Sequence, residues 1–110
     1  MKKIKFIFAS SLFVFSMATF AGNPHFDEAI KHATAASQAG DTAKIIEHAL
    51  PALEHAMAGA LTAKGLSKSH SDEAVKALEK TLDSAKNKKA DDATASANAA
   101  LEHLKAANKK

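Results

Sequence analysis

The fold of this chain is predicted by residues 24–65, PHFDEAIKHATAASQAGDTAKIIEHALPALEHAMAGALTAKG, which read as two amphipathic helices joined by a tight turn. Asn23 and Asp41 are typical N-cap residues, and each stands just before one of the two helical patterns. Gly40 and Gly65 are expected to end the two helices, because glycine readily adopts the left-handed conformation that follows a helix. The segment therefore predicts a helical hairpin.

The residues that follow predict a second hairpin. Ser69 or Ser71 is expected to cap a third helix that ends near Asn87, and Asp91 to cap a fourth. Because apolar residues cover only one face of each helix, the helices must pack on one another. Short connections between successive helices favour an all-α fold, an antiparallel up-down-up-down four-helix bundle.

The second helix carries most of the large apolar side chains. The stripe expected to be buried consists of Ile46, Ala49, Leu50, Leu53, Met57, Ala60 and Leu61. On this assignment His48 and His55 lie nearly opposite the buried face, since successive residues turn by ~100° around the helix. Pro51 lies inside the same helix and predicts a kink or a break, because it removes a backbone donor and crowds the preceding turn.

The two hairpins repeat each other in sequence. Residues 25–31, HFDEAIK, recur as residues 70–76, HSDEAVK, and residues 52–55, ALEH, recur unchanged as residues 100–103. The second half therefore carries a few extra residues, most simply in the lysine-rich link 86–89. The bundle is predicted to consist of two related helical hairpins.

The first residues of the chain predict a secretory signal peptide. Residues 1–21 begin with three lysines, continue with a mostly apolar stretch and end with small residues, which favours cleavage after Ala21, with Ala18 as the alternative. A retained membrane anchor is the other interpretation, but the apolar stretch is shorter than the ~20 residues of a spanning helix. Residues 22–110 are then the mature domain.

Composition argues against several classes of protein. The net charge of +3 comes from lysines of the predicted signal peptide, so the mature chain is close to neutral. Phe26 is the one aromatic residue outside that peptide, which leaves no stacking platform for a nucleic acid. The chain has no cysteine, which excludes disulfides, thiolate nucleophiles and cysteine-ligated metals. It also contains no recognised catalytic motif, so an enzyme is not expected.

Six histidines are the residues that indicate a function. His25 and His32 are seven residues apart, as are His48 and His55, so each pair shares one helix face with ~10 Å between its members. One ion cannot bridge such a pair, and the remaining ligands must come from elsewhere. Glu28 is suited to this role because it lies one turn from both His25 and His32.

The hairpin predicts which histidines meet. His32 and His48 are equally far from Gly40 along the chain, as are His25 and His55. An antiparallel hairpin thus places His32 level with His48, and His25 level with His55. The rotation of the second helix described above predicts open sites on the surface. Imidazole and carboxylate donors suit Cu(II), with Ni(II) and Zn(II) as alternatives.

The stretches HFDEAIKHA at residues 25–33, IEHA at 46–49 and LEHA at 53–56 resemble the small metal-binding protein family of bacterial periplasms. The resemblance runs from about His25 to Ala107. It implies a periplasmic four-helix bundle that binds several divalent ions, copper preferentially, in order to buffer or sequester them.

The resemblance also bears on individual positions. The six histidines match the recurrent histidine positions of the family. The second half of the chain departs from the pattern: Ala77 stands where the repeat would place a counterpart of His32, and Ser96 where it would match His48.

These observations predict a periplasmic metal-binding monomer without catalytic activity, with divalent ions as its partners and no contact with nucleic acid or, after cleavage, with a membrane. The expected metal ligands are His25, Glu28, His32, His48, His55, His70 and His103. The alternative hypothesis is a metal-free helical protein of the periplasm whose exposed faces bind a partner or serve a structural role.

Overall fold

A computed structural model describes residues 23–109, which form four helices. The helices are α1 (Pro24–Ala39), α2 (Thr42–Thr62), α3 (Gly65–Lys86) and α4 (Ala90–Ala107). Each helix packs on its neighbours in sequence, and α1 also packs on α4, while α2 and α4 touch only slightly across the diagonal. The expected antiparallel four-helix bundle is confirmed. The predicted signal peptide, residues 1–21, lies outside the described residues.

The first hairpin forms as its capping residues predict. The Asn23 side chain accepts a hydrogen bond of 2.8 Å from the backbone N–H of His25, which caps α1. The Asp41 side chain caps α2 in the same way, by accepting from the N–H of Ala43 at 3.3 Å. Between them Gly40 has φ of +75°, the left-handed conformation expected of a glycine after a helix.

The connection between α2 and α3 differs from the prediction. Gly65 does not end α2; it is the first residue of α3, with φ of +61°, and it follows Lys64, whose side chain makes no capping bond. Ser71, one of the two serines expected to cap α3, lies inside that helix and donates its hydroxyl to the carbonyl of Lys68 at 2.9 Å. Because α3 begins at Gly65, Ser69 and Ser71 both lie inside the helix, and the prediction that one of them caps it was wrong. A serine hydroxyl that bonds to the preceding turn is compatible with a helix interior.

Two further details of the helices also differ. The α2 helix continues through Pro51, so of the kink or break predicted there the break does not occur. The α4 helix has Lys89 at its N-cap, and Asp91, which was expected to cap it, lies in the first turn. An acidic side chain there still favours the helix, because the first turn carries a partial positive charge.

The buried face of α2 is not the one that hydropathy predicts. Leu50, Met57 and Leu61 are 46%, 49% and 85% exposed, although they were expected in the core. The residues that α2 buries are instead small, with one exception: Ile45, Ala49, Ala52, Ala56, Gly59 and Ala60. The true buried face is thus turned by about one residue, or ~100°, from the predicted one.

Packing against α1 explains why the small face of α2 points inward. The ring of Phe26 is buried against Gly59, so closely that a Cβ atom at position 59 would lie 2.4 Å from the ring. Interiors are filled densely when large side chains face small ones, and Phe26 needs such a partner. The core therefore pairs an alanine- and glycine-rich face with the few bulky side chains of the other helices.

Hydrogen bonds gather the start of α1, the α2–α3 connection and the end of α4 at one end of the bundle. Asn23 donates its side-chain amide to Thr62 at 3.1 Å and its backbone N–H to the Asn108 side chain at 2.9 Å. Asn108 in turn donates to the carboxylate of Asp27 at 2.8 Å. We call this end of the molecule the Asn23 end. Among the helices of residues 23–109, none is both long and apolar enough to cross a bilayer.

Candidate metal centre

The rotation of α2 moves its histidines toward α1. His48 and His55 were expected nearly opposite the core, but both are half-buried along the edge of α2. His32 is half-buried on the neighbouring edge of α1. The predicted position of His48 and His55 opposite the core was therefore wrong, because the wrong face of α2 had been assigned to the core, whereas His32 lies on a flank of α1 as expected.

Three potential ligands converge at this edge. Glu28, His32 and His55 each offer one donor atom, and these atoms all lie within 4.8 Å of one another. The rings of His32 and His55 are stacked, with centroids 5.9 Å apart and an angle of 5° between their planes. Donors bound to one ion at ~2 Å each lie up to ~4 Å apart, so small side-chain rotations bring this group to coordination distance.

His25 adds a fourth donor beside the three. Its Nδ1 atom lies 3.2 Å from Nδ1 of His55, and the two ring centroids are 5.5 Å apart. His55 therefore contacts both histidines of α1. We call Glu28, His25, His32 and His55 the first-hairpin site.

The surroundings of His32 favour its neutral, metal-binding form. Burial lowers the pKa of His32 below its ordinary value, and the nearby imidazoles of His55 and His48 and the ammonium of Lys31 lower it further. The carboxylate of Glu28 acts in the opposite direction but does not outweigh them. Because a metal ion competes with protons for imidazole nitrogen, a lowered pKa keeps His32 available as a ligand at neutral pH.

Glu28 has a competing partner on the surface. Its carboxylate lies 3.3 Å from Nζ of Lys31, one turn along α1, and both side chains are substantially exposed. Exposed pairs of this kind contribute little to stability, so a divalent cation can displace the lysine from the carboxylate. The exchange would leave α1 itself unchanged.

Of the two imidazole pairs predicted from the hairpin, one forms and the other does not. His25 meets His55 as expected, whereas His32 stacks on His55 and not on His48. Helical side chains tilt toward the N-terminus of their own helix, so the ring of His32 leans away from the turn at Gly40, toward the level of His55. His48 remains close enough to affect the pKa of His32 but lies outside the three-donor group.

The second hairpin reproduces part of this arrangement. The rings of His70 and His103 lie 5.8 Å apart with an interplanar angle of 32°, and His25 and His55 meet at the same angle. The two pairs occupy equivalent positions of the internal repeat. Both residues were predicted as ligands; their meeting was not predicted, although the repeat carries that information.

The second hairpin lacks the third imidazole. Glu73 pairs with Lys76 at 3.8 Å, as Glu28 pairs with Lys31, but the half-buried Ala77 occupies the position of His32. Over residues 23–109, Glu28, His32 and His55 form the one group of three such donors close enough to share an ion. Of the seven predicted ligands, the structure therefore brings Glu28, His32 and His55 together, places His25 against His55, pairs His70 with His103 and leaves His48 at the edge.

Comparison with known proteins agrees with this chemistry. A family model described as small metal-binding protein matches residues 1–107, which is almost the whole chain. No curated protein matches the sequence.

Proposed function

The chain belongs to the small metal-binding protein family, and we propose that it is a periplasmic buffer for divalent transition metals that prefers Cu(II). Metal binding follows from the family. The preference for copper, the periplasmic location and the buffering role are our proposals, and they rest on the donor set and on the signal-like residues 1–21.

The observation that carries the proposal is the convergence of imidazoles from two helices on one carboxylate. Glu28, His32 and His55 lie within 4.8 Å of one another, and His25 is within 3.2 Å of His55. Nitrogen and oxygen donors of this kind suit Cu(II), which also heads the affinity order of the divalent first-row metals. Ni(II) and Zn(II) use the same donors and are expected to bind more weakly.

The position of the donors favours reversible binding over catalysis. Glu28, His32 and His55 are half-buried and His25 is exposed, so water and competing ligands can reach a bound ion. A single chain supplies all four donors, and binding therefore requires no second subunit. An ion held in this way can be taken up and released as its free concentration changes, which is what a buffer requires.

A titration with Cu(II) tests the proposal. We expect the protein to bind copper at neutral pH in calorimetry, with Zn(II) and Ni(II) binding less tightly in competition. The triple variant H25A/H32A/H55A should lose the tightest binding, since it removes every imidazole of the first-hairpin site. The matched control, H70A/H103A, removes the pair from the other hairpin and should keep it.

The same measurements distinguish a metal buffer from the alternative, a helical protein that binds no metal. Bound copper stabilises the folded state by mass action, so the melting temperature should rise with copper concentration. An unchanged melting temperature and no measurable heat of binding would support the alternative of a metal-free helical interaction protein. Copper recovered with protein isolated from the periplasm would address location and physiological metal together.

A further inference from the structure

The Asn23 end of the bundle carries two strongly exposed leucines. Leu61, near the end of α2, is 85% exposed, and Leu66, near the start of α3, is 78% exposed. They flank the short connection between the two helices. Neither has a packing role in the bundle, so the exposure of two large apolar side chains at one end calls for a physical explanation.

Lysines stand close to these leucines in the sequence, and the acidic side chains at this end, Asp27 and Asp72, are each engaged by a partner, Asn108 and Lys68. Residues 55–71 contain Lys64 and Lys68 and no aspartate or glutamate. Lys64 also lines a shallow pocket together with Lys109, which follows α4. Lys68 reaches Asp72 at 3.2 Å through an exposed ion pair. We call the surface that these residues form at the Asn23 end the leucine–lysine end: Leu61, Lys64, Leu66, Lys68 and Lys109.

The opposite end of the bundle has a different character. The lysines of the α3–α4 connection, residues 86–89, are followed in the first turn of α4 by Asp91 and Asp92, and Asp41 caps the start of α2. Among the described residues, the exposed large hydrophobic side chains are those of Leu50, Met57, Leu61 and Leu66, and none belongs to that end. Among the described residues, the two most exposed large apolar side chains thus lie at the end that carries Lys64 and Lys109.

The preceding chain also joins the molecule at this end. Asn23 donates its side-chain amide to Thr62, the residue after Leu61. Residues 1–22, which include the apolar stretch up to Phe20, therefore connect to the bundle beside the exposed leucines. If residues 1–21 direct export, this end is the one held nearest to the bilayer until cleavage.

We propose that the leucine–lysine end binds peripherally to the surface of a membrane that contains anionic phospholipids. The two leucines enter the interfacial layer while the lysine ammonium groups remain at the level of the phosphates. Two leucines bury less apolar surface than one acyl chain, so the contact is weak and reversible. The proposal replaces the expectation that the mature chain makes no membrane contact, and it is independent of the metal site.

Charge favours a lipid surface over a second copy of the chain. If two leucine–lysine ends packed on each other, Lys64 and Lys109 of one copy would face the same lysines of the other, and like charges would repel. An anionic lipid surface offers the opposite charge over a wide area, and each lysine near such a surface contributes to attraction.

Vesicle sedimentation tests the proposal. The protein used is the chain from Gly22 onward, which contains all four helices, and a chelator is present to exclude effects of bound metal. We expect binding to equimolar phosphatidylglycerol and phosphatidylcholine vesicles, and much weaker binding to phosphatidylcholine alone. L61S/L66S should weaken partitioning by about tenfold. K64Q/K109Q should weaken it by a similar factor and reduce its dependence on salt.

The matched control is L50S/M57S, which removes two exposed apolar side chains from the side of α2 and should leave partitioning unchanged. Circular dichroism should show that all three variants melt as the parent does, because the replaced side chains are exposed. Equal binding to both vesicle types, or equal loss in L50S/M57S, would overturn the proposal. So would a dimer in sedimentation equilibrium that L61S/L66S abolishes, since the same end would then bind a second copy.

Discussion

Nδ1 of His25 and Nδ1 of His55 lie 3.2 Å apart across the boundary between α1 and α2. At this distance one ring donates a hydrogen and the other accepts it, so the pair is satisfied only while at least one nitrogen is unprotonated. A cation held between the two helices would take the place of that shared hydrogen. Because His55 also stacks on His32, it occupies the centre of the first-hairpin site.

Replacement of His55 should therefore damage copper binding more than replacement of any other histidine. Changes in groups that only orient a ligand already lower metal affinity by about 10–100-fold. We expect H55A to lower it by at least about tenfold, measured by calorimetry in competition with a chelator of known affinity.

The matched control is H48A, which removes a histidine from the same helix, seven residues away and outside the three-donor group. It should change the affinity of the tightest site far less than H55A does. If H48A and H55A lowered the copper affinity equally, His48 would be as important a ligand as His55. The metal would then bind between the histidine pairs predicted from the sequence, and not at the group centred on His55.

A second site should appear when the missing imidazole is restored. Ala77 is half-buried and is the repeat counterpart of His32, which in the first hairpin stacks on His55, the counterpart of His103. We expect A77H to tighten copper binding in the second hairpin by about tenfold or more, because it supplies a third donor. The additional binding equivalent should be visible in calorimetry.

A histidine elsewhere on α3 provides the control for A77H. Glu79 is exposed and lies two residues further along, so its side chain leaves the helix on a different side. E79H adds the same imidazole without placing it beside the pair and should not create the additional tight equivalent. If E79H and A77H behave alike, the gain reflects histidine content and not the geometry of the repeat.

Gly59 should not tolerate even one added methyl group. Replacing glycine by alanine inside a helix usually stabilises it by about 1 kcal/mol. Here the new Cβ would lie 2.4 Å from the buried ring of Phe26, so we expect G59A to destabilise the protein by about 1–3 kcal/mol. Thermal or urea denaturation followed by circular dichroism would measure the change.

A smaller side chain at position 26 should relieve the clash with the added methyl group at position 59. The double variant F26L/G59A is expected to lose less stability than the sum of the two single variants, since leucine leaves room for the alanine. Simple additivity, or a stabilising effect of G59A alone, would show that Phe26 does not pack on Gly59 as described.

The lowered pKa of His32 should make the stability of the protein depend on pH. Its lowered pKa means that the unfolded chain takes up this proton more readily than the folded protein, so the free energy of unfolding decreases as pH falls. The contribution is fully present above the ordinary pKa of histidine and is lost as pH falls through the lowered value. In metal-free protein, H32Q should flatten this decrease in melting temperature, whereas H103Q, on the other hairpin, serves as the control. An unchanged slope in H32Q would contradict the burial of this ring.

Much of the fold could be predicted from local signals. Asn23, Gly40 and Asp41 define the first hairpin, and the repeat of residues 25–31 at 70–76 predicts its partner. The predicted buried face of α2 was wrong because hydropathy ranks leucine and methionine above alanine and glycine. Which face is buried depends on shape as well, and the need to accommodate Phe26 against Gly59 is a property of two helices together.

The wrong buried face of α2 also explains why the contact between His32 and His55 was not predicted. The ligand types and the meeting of His25 with His55 follow from spacing, and the structure brings those two residues together. The stacking of His32 on His55 depends on the rotation of α2 and on the tilt of side chains along antiparallel helices, neither of which spacing reports.

The bridge formed by Asn108 has a consequence for the order of the chain. It accepts a hydrogen bond from Asn23 and donates one to Asp27, so the residues at the start of α1 and just after α4 are already neighbours. A short linker could join them, and new termini could open at Gly40, where the turn has free space around it. In such a circular permutant α1 and α2 would no longer be consecutive, yet their histidines would face each other across the same packed surface.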